Sequence, residues 1–91
     1  METSAGALED LYRTRTAQDR RGRIRSQWDH VLLFRDLDRL IEQGKIENFD
    51  QVIDPERDGL ERRYFRDLGT NEIYVFVEGW DKGPPEFRKL I

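Results

Sequence analysis

Between Ser26 and Gln43 the chain reads SQWDHVLLFRDLDRLIEQ, and Leu33, Phe34, Leu37, Leu40 and Ile41 recur at three- and four-residue spacing. That spacing predicts an α-helix with one apolar stripe, and it places Arg35, Asp36, Asp38, Arg39 and Glu42 on the opposite side. Ser26 and Asp29 form an S-x-x-D variant of the capping box at its start, and Gly44 stands at its end, where a left-handed residue closes a helix. Trp28, Val31 and Leu32 fall off the stripe, so the first turns carry a second apolar side. Left uncovered, that side is a candidate contact patch.

After Leu60 the period changes from helical to two. Residues 60 to 67 predict one strand and residues 72 to 78 a second, with Ile73, Val75 and Val77 on one face and Tyr74 and Phe76 on the other. Apolar residues on both faces mark the second strand as central. In the first strand Tyr64 and Phe65 point to opposite faces. A third short strand, 86 to 91, follows the GWDKGPP loop. The predicted fold is α+β: one main amphipathic helix packed on a small antiparallel sheet of about three strands. Between helix and sheet, Ile46, Phe49, Val52 and Ile53 read as one or two helical turns, capped by Asn48 and ended at Asp54 before Pro55.

The N-terminal part is less patterned. Ala7, Leu8, Leu11 and Tyr12 would give a short helix one apolar edge, with Ser4 as a cap, while YRTRTA over 12–17 has the alternative look of a short strand. The reading divides the chain into a partly flexible basic segment, 1–25, and a single α+β domain, 26–91. Ninety-one residues suit one small core, and ten aromatic side chains supply the burial such a core needs.

Charge sharpens the division. The net charge is −3, yet Arg13, Arg15, Arg20, Arg21, Arg23 and Arg25 crowd one short stretch against Asp19 alone. Such a stripe can track a phosphate backbone, with Tyr12 and Trp28 stacking on bases, or it can be a solvated or acid-paired face. The acidic whole, with a pI near 5.2, favours the second reading.

The residue inventory excludes several chemistries. With no cysteine there is no disulfide, thiolate zinc site or cysteine nucleophile. His30 is the single histidine and reads as a packing residue; Ser4 lies in the tail and Ser26 is used as a cap. Asp54, Glu56, Asp58 and Gly59 imitate the start of a calcium loop, but Phe65 stands where its bidentate acid belongs. The expectation is no catalytic residue, no metal and no cofactor. No run of residues matches a membrane span or a signal peptide, which points to a cytoplasmic protein.

What remains is the GWDKGPPEF loop, where glycines release the backbone, Pro84 and Pro85 stiffen it, and Trp80 stands at the turn. Trp80 is either folded onto the core or an exposed anchor for a protein partner. The stretch RDLGTNEIYVFVEGWDKGPPEFRKL resembles the C-terminal signature of a family of small bacterial immunity proteins from polymorphic toxin systems. The positions that match are Asp67, Gly69, Tyr74, Glu78, Gly83, Pro84, Pro85 and Leu90. The loop carries fewer glycines than that family's, and Val75-Phe76-Val77 replaces a more polar strand.

The resemblance implies a non-catalytic module that neutralises a cognate toxin by direct binding, without cofactor. The candidate contact residues are Trp80, Asp81, Glu78, Tyr74 and Tyr64. Two alternatives stay open: a nucleic-acid-associated regulator acting through the arginine stripe, and a phage-type anti-defence or adaptor protein that binds a host protein.

Overall fold

The computed structural model describes residues 6–49, 60–79 and 83–90. In chain order these form α1 (Ala7–Arg15), α2 (Gln27–Glu42), β1 (Ile46–Asn48), β2 (Arg62–Asp67), β3 (Ile73–Val77) and β4 (Glu86–Lys89). The strands make one antiparallel sheet in the order β1-β2-β3-β4, so each strand lies beside its neighbour in sequence. The α+β class holds, with four strands rather than three.

The added strand is β1. The spacing of Ile46 and Phe49 suggested a helical turn, but residues 46–48 pair with the far end of β2, Ile46 opposite Asp67 and Asn48 opposite Phe65. Asn48 is therefore a strand residue. A partner strand with open hydrogen-bonding groups overrides a weak helical spacing in so short a segment. The rest of that expected turn, Val52 to Asp54, lies outside the described residues, as do Ser4 and the calcium-like stretch at 54–59.

α2 follows the sequence closely. The Ser26 hydroxyl accepts the Asp29 amide at 3.1 Å. At the other end the Lys45 amide donates to the Leu40 carbonyl and the Gly44 amide to that of Ile41, the paired bonds of a Schellman close. Leu33 and Leu37 are fully buried, and Phe34, Leu40 and Ile41 pack beside them.

α1 realises the helical option for residues 7–15 and rejects the strand option. Its N-cap is Gly6, which has no side chain to offer. The cap arrives from β2, whose Asp67 carboxylate accepts the Leu8 amide at 3.3 Å. Glu9 and Asp10 in the first turn and Arg13 and Arg15 in the last suit the helix dipole.

Both helices cover one face of the sheet. Leu8, Leu11, Ile24, Leu33 and Leu37 meet Ile46, Phe65, Tyr74, Phe76 and Phe87 there. Rings interlock at the centre: Phe34 meets Phe76 edge-on at 4.7 Å, and Tyr74 stacks on Phe87 at 5.2 Å. His30 stacks on Phe76 at 5.3 Å, the packing role its surroundings suggested. On the opposite face Tyr64, Ile73, Val75 and Val77 form a second buried cluster with Phe49, Leu60 and Leu90 against it. β3 is buried at all five positions, as a central strand with two apolar faces must be.

The division expected at residue 25 does not appear as a break in packing. Leu8, Leu11 and Ile24 belong to the same core as the sheet. Residues 16–24 form a tight excursion closed by a Thr16–Ile24 bridge, and its returning arm lies along the edge of β4. There the Ile24 amide donates to the Pro85 carbonyl and the Phe87 amide to that of Gly22. Gly22 has φ +70°, and a side chain on it would overlap the Phe87 carbonyl. Only glycine serves both demands.

Candidate functional site

The side of α2 turned away from the core carries Trp28, Val31, Arg35, Asp38 and Glu42, all exposed. They recur every three or four residues and so form one outward stripe. Trp28 is 67 % and Val31 57 % exposed, the two most exposed large apolar side chains among the described residues. Large apolar side chains left in water at adjacent turns are unusual in so small a fold, because burying each would release about 2 kcal/mol. Further along, Asp38 and Glu42 have no counter-ion among the described residues. The stripe thus runs from an apolar end to an acidic end. Its signal in the sequence was the off-stripe placement of Trp28 and Val31.

The contact residues expected around the C-terminal loop are not brought together. Tyr64 pairs with Val75 and Tyr74 with Phe65, so the two tyrosines stand on opposite faces of the sheet. Both are buried, at 7 % and 3 % exposure. Glu78 is half-buried at the end of β3, its amide donating to the Glu61 carbonyl. Trp80 and Asp81 lie outside the described residues. The loop's described part is tightly folded: a side chain on Gly79 would come within 2.5 Å of the Pro85 nitrogen, and Pro85 itself is buried. Gly79 is there because Gly83 to Pro85 crosses directly over it.

The arginine stripe is largely consumed by acids. Arg13 pairs with Glu9 at 2.6 Å and Arg23 with Asp19 at 3.5 Å. Arg21 grips Glu86 with two nitrogens, at 2.6 and 3.2 Å. Arg15 reaches from α1 to Asp29 and Asp36 of α2, and Arg25 shares Asp29 while also donating to the Thr14 carbonyl. Among the described residues only Arg20 of the six lacks such a partner. A stripe neutralised in this way offers little to a phosphate backbone.

One feature that periodicity could not show is a cleft of about 460 Å³ between α1, the turn at 18–20, and the ends of β3 and β4. Tyr74 lines it together with Tyr12, Arg20 and Arg88. The cleft is assembled from four separate segments, so no local spacing announces it. Asp19 beside it is held below the usual carboxylate range, first by the Arg23 amide, then by the Gly22 amide and the Arg23 charge, against some opposing desolvation.

The geometry defines a small α+β domain with two helices on one face of a four-stranded antiparallel meander. Compared with protein-family models, curated proteins and solved structures, the chain finds no match. No helix among the described residues is long and apolar enough to cross a membrane.

Proposed function

We propose that the chain is a non-catalytic protein-binding module that neutralises a bacterial toxin by direct contact, as an immunity protein does. The outward stripe of α2 carries this reading: Trp28 and Val31 supply an apolar anchor, and Asp38 and Glu42, which make no ion pair among the described residues, supply an acidic end. Aromatic anchors surrounded by polar groups dominate interface energetics, and an acidic surface meets a basic cleft quickly through electrostatic steering. A nuclease toxin, whose substrate cleft must be basic, is a partner of matching chemistry. The resemblance of the Asp67 to Leu90 stretch to immunity proteins points the same way. The nucleic-acid alternative loses support because five of the six stripe arginines are already paired with acids.

The test is growth rescue. A neighbouring gene that proves toxic on induction is expressed with and without the chain, and with a Trp28→Glu/Val31→Glu double variant whose folding is checked by circular dichroism. Rescue by the wild type and its loss in the folded double variant is the expected result. No rescue by the wild type, or undiminished rescue by the double variant, would refute the assignment.

A further inference from the structure

We propose that the cleft under Tyr74 binds a small phosphate monoester, a ligand of about mononucleotide size, through the Arg20 guanidinium and the Tyr74 hydroxyl. Three observations converge on it. First, Tyr74 is clamped on Phe87 and lines the cleft, and its hydroxyl makes no hydrogen bond among the described residues. A hydroxyl held in place by its ring and left open to a cleft is free to donate to a ligand there.

Second, the cations around the cleft exceed the acids. Glu9 is held by Arg13, Asp19 by Arg23, Glu72 by Lys89, and Glu86 is shared by Arg21 and Arg88. Four carboxylates therefore answer five cations, and Arg20, on the rim, has no carboxylate at all among the described residues. In an acidic protein the cleft lining itself holds Arg13, Arg20, Arg88 and Lys89 against Glu9 and Asp19. That excess suits a dianionic phosphate better than a carboxylate. Third, the volume of about 460 Å³ lies within the range of small-ligand pockets. One wall is the Tyr12 ring, fixed by its hydroxyl's bond to the Asp19 carbonyl at 2.9 Å, which leaves an aromatic surface for the ester's organic part.

Free phosphate and a phosphate ester share the anchoring chemistry, so the experiment separates them. Heteronuclear NMR titrations at low salt use inorganic phosphate, adenosine 5′-monophosphate and adenosine. The expected result is saturable shifts at Tyr12, Arg20 and Arg88 with the monophosphate, weaker binding of inorganic phosphate, and none of adenosine. Arg20→Ala and Tyr74→Phe should each weaken the monophosphate about tenfold, as loss of a charge-assisted hydrogen bond does. Arg35→Ala, a cation on the far side of α2, should bind as the wild type.

Equal affinity for phosphate and the monophosphate would overturn the ester assignment, and equal binding of adenosine would overturn the anionic one. No saturable binding below about 10 mM, or unchanged binding by both folded cleft variants, would remove the site altogether. The proposal does not rest on toxin binding. The Trp28→Glu/Val31→Glu variant should give the same titration as the wild type.

Discussion

Asp67 joins parts of the chain 59 residues apart. Its carboxylate, almost wholly buried, accepts the amides of Leu8, Gly69 and Thr70, so one side chain caps α1 and shapes the β2–β3 turn together. Asp67→Ala would leave those amides without acceptors and should cost about 2–3 kcal/mol in denaturant unfolding. Asp67→Asn, which keeps one acceptor oxygen, should cost less. Tyr74 gives a second residue-scale test. Burial first, then the charges of Glu72, Glu9 and Asp67, raise its hydroxyl well above its ordinary value of 10.0. The folded chain therefore keeps this proton at a pH where the unfolded chain has lost it. The associated stability is complete below pH 10.0 and is lost as the pH rises above it. Melting temperature measured against pH should show the wild type falling relative to Tyr74→Phe only above that point; parallel curves would contradict the assignment.

At the scale of elements, α2 was legible because its signals are local. Ser26, Asp29 and Gly44 act within a few residues of the helix they bound, and the apolar stripe needs no partner to be recognised. β1 was not legible, since three residues become a strand only when β2 offers its edge. The returning arm of residues 22–24 is similar: its docking on β4 depends on Pro85 and Phe87, far along the chain. Gly22→Ala tests that docking. A left-handed φ and overlap with the Phe87 carbonyl should together cost at least about 2 kcal/mol, and the Phe87 amide, which donates to Gly22, should exchange faster. Slow exchange there in the variant would show that the arm is held by other contacts.

For the whole molecule, the α+β class follows from one helical period and one strand period, while the surface does not. The alternation in β2 and β3 assigned each tyrosine a face within its own strand, but the register that sets Tyr64 and Tyr74 on opposite faces is a property of the pair. The arginine stripe looked like a surface to be read alone, and its meaning changed once Glu86, Asp29 and Asp36 were brought to it by folding. Trp28 and Val31 were visible as misfits on α2, and the fold leaves them in water. As exposed residues they should tolerate substitution, Trp28→Ala shifting unfolding free energy by no more than about 0.5 kcal/mol. A larger loss would mean that the ring is part of the core.

The central claim, that the outward stripe of α2 occludes a basic toxin surface, is tested most directly by taking a nuclease whose toxicity this chain relieves and titrating its catalytic activity with the chain at low and high salt. The expected result is stoichiometric inhibition that slows in onset as salt rises, weakened by Trp28→Glu/Val31→Glu and, to a lesser degree, by Asp38→Lys/Glu42→Lys. Full inhibition by both folded double variants, or no inhibition by the wild type, would contradict it.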